Sequence, residues 1–590
     1  MKLTLRFLKA KDKISLLICL ICVTAQSWLD LKIPEYISAI TLRVQTNGVK
    51  PEDLVEPGLI MLACALGSLL FSILSSFFIS GASSNLTTRM RSAVYTKTMS
   101  FSLGEMSRFQ TASLITRCTK NINYIYQFWA NGALFLMKAV VLATLAIIKM
   151  AGSDTAWLTS TGAAVILTLI LMGVIFAVTI PKMLKLQTFT DDENRFIGEH
   201  LNGIRVVHAF NAQQYEENRF DKTNSKLTDI SIFVERGMSF LLPGMITIIY
   251  GLTIAIYWIG AGIIAGDPVT ERAADYANMI AFSSYAMLCV QAFIMLVKGL
   301  VLVPGLATSI KRIREVLDTD ILIKDGDGAE SDTEQPAAVE FRHVSFRYPG
   351  AAADTIADIS FTANPGETVA FIGATGCGKT TLLNLIPRLY DATEGEILIN
   401  GINVKQYKLN DLRSLIGYVP QKASLFTRSI ASNIDFGDNG GFAKSLGEIE
   451  QAAMIGQADE FIRQKPEGYD TVILPGGNNL SGGQKQRLTI SRAVCRDPGI
   501  YLFDDSFSAL DFSTDKKLRS ALRNHAKGAT ILVVAQRIST IRSADKIIVL
   551  DGGAVKGCGT HEQLLKSCPI YREIADTQLL NEGVSGGAVQ

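Results

Sequence analysis

Six apolar stretches, near residues 14–40, 57–82, 128–150, 156–181, 238–265 and 274–304, constrain this chain more than anything else in it. Each is long enough to cross about 30 Å of hydrocarbon as a helix. Lipid offers no water to pair backbone N–H and C=O groups, so a crossing run of this kind has to be helical. A chain of 590 residues is also too long for one compact core. Only 19% of its residues are charged, and they crowd outside the six stretches. The formal net charge of +2 gives no reason to expect nucleic acid as a partner. A lipid bilayer is the partner that the pattern implies.

Charge placement orients the spans. Arg89, Arg91, Lys97, Arg108, Arg117 and Lys120 lie between spans two and three, and Lys182, Lys185, Arg195 and Arg205 follow span four. The short connections after spans three and five carry Ser153, Asp154, Asp267 and Glu271 instead. The positive-inside rule then predicts both termini and the long connections on the cytosolic side of the cell membrane. Lys2, Arg6, Lys9, Lys11 and Lys13, interleaved with Leu3, Leu5, Phe7 and Leu8, predict an interfacial helix that stays as an uncleaved anchor. The connections 87–126 and 181–236 hold few Gly or Pro breakers, so spans two to five should continue into the cytosol as helices. A short transverse segment should join each pair. Nine cysteines, an odd count without repeated spacing, argue against a disulfide framework, and the Cys19–Cys22 pair reads as packing inside an apolar run.

From Asp318 to Glu334 the chain carries seven acidic residues against the single Lys324. We therefore expect a transmembrane domain over 1–317, a solvated acidic linker over 318–338, a second domain over 339–575, and a flexible tail over 576–590. After Val339 short apolar strands alternate with amphipathic helices, an α/β arrangement.

The strand Thr368–Ile372 runs into Gly373, Ala374, Thr375, Gly376, Cys377, Gly378, Lys379 and Thr380, followed by a helix that opens with Thr381. This is a phosphate-binding P-loop in its strand–loop–helix setting. Its glycines let backbone N–H groups close on phosphates, Lys379 suits the β- and γ-phosphates, and Thr380 suits Mg²⁺. Farther on, Ile500–Asp504 is a buried-strand pattern ending in a carboxylate, so Asp504 fits a second Mg²⁺ contact. Between them Ser481, Gly482, Gly483 and Gln484 open a helical run without a preceding strand, a second anion-binding surface. One nucleotide hardly needs two cradles in one chain, so the second is expected to serve a neighbour's nucleotide.

With these motifs in this order the sequence resembles the ATP-binding cassette superfamily over essentially its whole length, with ATP and Mg²⁺ as cofactors. The resemblance implies a membrane all-α six-helix exporter-type transmembrane domain followed by an α/β P-loop NTPase cassette. Tyr348 matches the family's adenine-stacking aromatic, Gln421 the glutamine that links Mg²⁺ to the membrane domain, Leu480–Gln484 the signature, and Ser508–Asp511 the D-loop. Gly559–Glu562 matches the C-terminal segment, and Gly203–Phe210 the stretch leading into the second coupling helix.

Three departures stand out. Asp505 follows Asp504 where efficient members carry Glu, Gln536 stands where they carry a switch His, and Leu474–Gly477 replaces a Glu-containing pattern. Asp is one methylene shorter than Glu, and a displacement near 1 Å can cost on the order of 10²-fold in rate. Gln is neutral and cannot relay a proton as imidazole does. Asp505, Gln536 and Gln421 are the candidate catalytic residues of a weak site. The resemblance then implies one subunit of a heterodimeric exporter of amphipathic, drug- or lipid-like compounds, whose signature completes a second half-transporter's hydrolytic site. A gating or regulatory subunit that binds ATP, or a homodimeric peptide or lipid exporter, is the alternative.

Overall fold

The computed structural model describes residues 2–45, 52–266, 268, 271–328, 337–437 and 444–586. It divides into two compact units. One holds 1–99 and 110–319, the other 100–109 and 320–590.

Among the described residues six helices of the first unit are long and apolar enough to cross a membrane: Ala10–Gln45, Glu52–Met99, Thr111–Met150, Thr155–Met183, Gln213–Gly266 and Arg272–Leu317. Their outer faces carry what lipid favours. Leu62, Leu66, Leu69, Ile73 and Phe77 of the second span all point away from protein, Phe77 with 73% of its surface exposed. The opposite face of the same helix buries small residues, among them Ser68, Ser75, Ala82 and Ser83, which let helix backbones approach. Polar bonds fix the register: Ser68 Oγ donates to Asp30 Oδ1 at 2.5 Å, and Arg89 pairs with the buried Asp12. The third span is not a uniform α-helix, since Arg117–Asn121 and Phe128–Gly132 widen into π-turns.

Helices do continue past the spans. Glu52–Met99 and Thr155–Asn202 each run for 48 residues. The short helices Leu103–Arg108 and Ile204–Ala209 follow them.

Among the described residues the second unit holds ten strands in two sheets. Strands β1 (Val339–Phe346), β2 (Ile356–Ala363), β4 (Glu394–Ile399) and β5 (Ile402–Asn403) form an antiparallel sheet in the order β2-β1-β4-β5. Strands β3 (Thr368–Gly373), β6 (Ile416–Val419), β7 (Ile500–Asp504), β8 (Thr530–Val534), β9 (Lys546–Asp551) and β10 (Ala554–Gly559) form the other, in the order β10-β9-β3-β8-β7-β6. All its pairings are parallel except β10 with β9. β7 is buried at every residue, as a central parallel strand covered on both faces must be.

Two expected boundaries need correction. The acidic stretch after Asp318 keeps its charged side chains exposed over its described part, as a solvated segment would, but from Asp320 it groups with the second unit and is bound to it: Leu409 N–H donates to Asp325 Oδ1 at 2.8 Å, Gly326 N–H to Tyr407 O at 3.0 Å, and Arg388 to Lys324 O at 3.1 Å. Ile323 is buried there. Leu322 N–H donates to Glu105 Oε1 at 2.8 Å, which ties the start of this stretch to the transverse helix Leu103–Arg108. Residues 329–336 lie outside the described residues. Nor is 576–586 a loose tail, because the helix Pro569–Gly586 runs through it; 587–590 lie outside the described residues.

Candidate active site

Strands β3, β8, β7 and β6 are neighbours and parallel, so the loops leaving their C-terminal ends share one edge. Those loops carry the P-loop, Gln536, Asp504–Asp505 and Gln421, in that order. Residues more than 160 positions apart in the chain meet there.

The P-loop turns back on itself at Gly376 and Gly378, with φ of 86° and 97°, values that L side chains resist. A Cβ on Gly378 would fall 2.9 Å from Thr355 O, and one on Gly373 would fall 2.0 Å from Leu550 O. Ala374, Thr375 and Gly376 stay exposed at the rim, while Cys377 is buried beneath them. Lys379 curls its ammonium onto the loop, donating to Gly373 O at 2.7 Å and Ala374 O at 2.8 Å. Thr380 Oγ1 donates to Asp504 Oδ1 at 2.9 Å. Tyr348 lies close by, its hydroxyl 2.9 Å from Thr381 Oγ1 and its ring edge-on to Tyr390 at 5.2 Å.

Asp505 has φ of 48°, a left-handed conformation costing a non-glycine residue roughly 1–2 kcal/mol, and such strain gathers at functional sites. Its Oδ2 accepts from Gln536 Nε2 at 2.9 Å and from Gln421 Nε2 at 3.4 Å. The three candidate catalytic residues thus converge on one carboxylate. Burial pushes the Asp505 carboxyl up, against the Gln421 hydrogen bond, which holds it down. Burial also pushes Asp504 up, opposed by Thr380 and reinforced by Asp505.

Ser481–Gln484 stand apart from this edge. Ser481 Oγ accepts from Gln484 N–H at 3.3 Å and Gln484 Oε1 from Ser481 N–H at 3.0 Å, a capping box on the helix Gly482–Cys495. Among the described residues no hydrogen bond joins them to the P-loop. Gly483 instead faces the D-loop, where a Cβ would come 3.3 Å from Ala509 O. The altered stretch Leu474–Gly477 bends through two positive-φ glycines, Gly476 and Gly477, and Lys485 Nζ donates to Gly476 O at 2.9 Å.

Two contributors carry no motif. Tyr418 donates to Asn384 Oδ1 at 3.1 Å, and Ser506 to Val419 O at 3.0 Å, which ties β6 to the P-loop helix and to the Asp505 turn. Polar residues at buried strand ends were the available signal.

Residues 356–508 match the family model described as ABC transporter, and residues 16–293 the one described as ABC transporter transmembrane region. An uncharacterized ABC transporter ATP-binding protein of Mycobacterium tuberculosis is 34% identical over 557 residues, covering 93% of this chain and 94% of that protein. The chain belongs to the ABC transporter family. The uncharacterized ABC transporter ATP-binding protein YfiB of Bacillus subtilis is 32% identical, with 96% of each covered. An ATP-dependent lipid A-core flippase of Pseudomonas aeruginosa is 31% identical over 84% of this chain and 80% of that protein. A solved structure of a bacterial Atm1-family ABC exporter with ATP bound superposes with a TM-score of 0.77 at 24% identity, covering 97% of this chain and all of that one. Six apolar helices followed by an α/β nucleotide-binding domain match its architecture. This protein is therefore a multi-pass ABC transporter with the fold of that exporter, and its cassette is an ABC transporter ATPase domain, as ATP hydrolysis coupled to transport requires.

Proposed function

We propose that this ABC exporter chain is a half-transporter whose own ATP site is degenerate, and that it works in the cell membrane beside a different half-transporter carrying Glu and His at the matching positions. The observation that carries this reading is the Asp505–Gln536 hydrogen bond. A general base needs a free carboxylate oxygen within about 3 Å of the attacking water. Here one oxygen of a short carboxylate is engaged by two carboxamides, and neither amide takes up a proton.

ATP binding, by contrast, is fully equipped. Lys379, held on the P-loop carbonyls, would move to the phosphates, Tyr348 beside Thr381 would stack on adenine, and the Thr380–Asp504 pair offers the donor types Mg²⁺ prefers, a hydroxyl and a carboxylate. Mg²⁺ held there would neutralise phosphate charge; the chain's own part is to orient ATP and hold it. In a head-to-tail pair of cassettes, Ser481–Gln484 would cover the partner's nucleotide, and among the described residues no hydrogen bond ties them to this chain's own P-loop. The exposed Ile204, Val206 and Phe210 of the second transverse segment suit a partner surface as well. Both termini lie on the cytosolic side in this reading, and the cargo is amphipathic or hydrophobic.

A homodimeric lipid exporter is the second reading, favoured by the similarity to lipid A-core flippases. Steady-state ATPase separates the two. Purified alone in nanodiscs the chain should hydrolyse ATP slowly, and addition of the native partner should raise turnover by about 10-fold or more. Fast turnover by the chain alone selects the homodimer.

A further inference from the structure

The last helix, Pro569–Gly586, lies outside every phosphate-binding or hydrolytic motif, yet it reaches the loop that carries Gln536. Tyr571 and Ala575 bury this helix in the core of the unit. The Tyr571 hydroxyl is further held 2.7 Å from His561 Nδ1. Positions i and i+4 share a helix face, and i+7 falls on it too, so the anchor aims Gln578 in the same direction. From there the Gln578 carboxamide spans the switch loop: its Oε1 accepts from Ile538 N–H at 2.8 Å, and its Nε2 donates to Gln536 O at 2.7 Å. The helix Ile538–Ile541 has no side-chain cap from Arg537, so an unpaired first-turn N–H receives its acceptor from Gln578 instead.

Gln536 O and Ile538 N–H belong to the two peptide groups that flank Arg537, so the clamp fixes the peptide plane on the C-terminal side of Gln536, while on its N-terminal side Ala535 N–H donates to Phe371 O at 3.2 Å. That sets the direction in which the Gln536 side chain leaves, and this side chain ends on Asp505 Oδ2. The geometry points to Gln578 as a positioning residue of the ATP site, through which the C-terminal helix clamps the switch loop and holds Gln536 against Asp505. The clamp concerns how Gln536 is held, whereas the degenerate-site reading rests on the identities of Asp505 and Gln536, so failure of the clamp would leave that reading standing.

The test uses the full-length chain, with its native partner, in nanodiscs. In Gln578→Ala, amide exchange in peptides covering 535–541 should rise about three- to tenfold, while the strand 530–534 keeps its protection. The single-turnover rate of ATP bound to this chain's P-loop should change at least about threefold with ATP affinity unchanged, since no described bond joins Gln578 to the P-loop. Gln578→Glu keeps an acceptor for Ile538 N–H and loses the donor to Gln536 O. It should restore the exchange protection but not the rate. In a Gln536→Ala background, Gln578→Ala should add no further change in rate. Increased exchange confined to 569–586, or additive effects in the double variant, would show that Gln578 merely tethers its own helix and would overturn the clamp.

Discussion

Asp505 and Gln536 hydrogen-bond to each other, so the two departures from the family pattern meet at one carboxylate. Lengthening the carboxylate and restoring an imidazole should separate them. Asp505→Glu with Gln536→His should raise hydrolysis of ATP on this chain's P-loop by about 10- to 100-fold, read by single-turnover assay in the assembled complex; an unchanged rate would place the defect elsewhere. Tyr348 already stands in an aromatic cluster with Phe346 and Tyr390, at 4.9 and 5.2 Å. One aromatic face on a base is worth about 1–3 kcal/mol. Tyr348→Ala should therefore weaken photolabelling of this chain by an ATP analogue roughly 5- to 150-fold and spare the partner's. The identities of both residues were legible from motif order alone. Their mutual bond, and the approach of Gln421 to the same oxygen, were not, because a motif specifies positions along the chain and says nothing of where neighbouring loops send their side chains.

Among the elements, the third and sixth spans come close where two glycines face. A Cβ on Gly299 would fall 2.6 Å from Leu136 Cγ and 3.0 Å from Gly132 O, and one on Gly132 would fall 3.1 Å from Phe128. Gly132 closes the second π-turn, so the widened backbone and the close crossing share a position. Gly299→Val should force these helices apart and cost about 1–3 kcal/mol, seen as a lower unfolding temperature in detergent, whereas Gly251→Ala, which meets nothing within 4 Å, should be silent. The six spans were legible because hydrophobic length alone decides them. The π-turns were not, since one extra residue in a turn leaves composition untouched. Acidic composition misled at 318–328 for a related reason: it reports that side chains prefer water, while the backbone N–H of Leu322 and Gly326 and the carbonyl of Lys324 find protein partners all the same.

For the whole transporter, function depends on which nucleotide each motif serves. If Ser481–Gln484 complete the partner's site, Ser481→Arg should abolish most steady-state ATPase activity of the complex and leave ATP binding by this chain intact. Lys379→Ala should do the reverse, removing ATP from this chain's P-loop while turnover falls only partly through coupling between sites. A Ser481→Arg complex that hydrolyses like wild type would refute the division of labour. The carboxylate of Glu105 has a consequence of another kind. It belongs to a segment, 100–109, that groups with the second unit although the residues on either side of it belong to the first. Its partner, the Leu322 amide, is 217 residues away. On a ribosome adding about 5–20 residues per second, Glu105 waits at least about ten seconds before its donor, the Leu322 amide, is even made. A nascent chain halted before residue 320 would carry its first spans in the membrane with the Glu105 carboxylate still lacking its Leu322 donor.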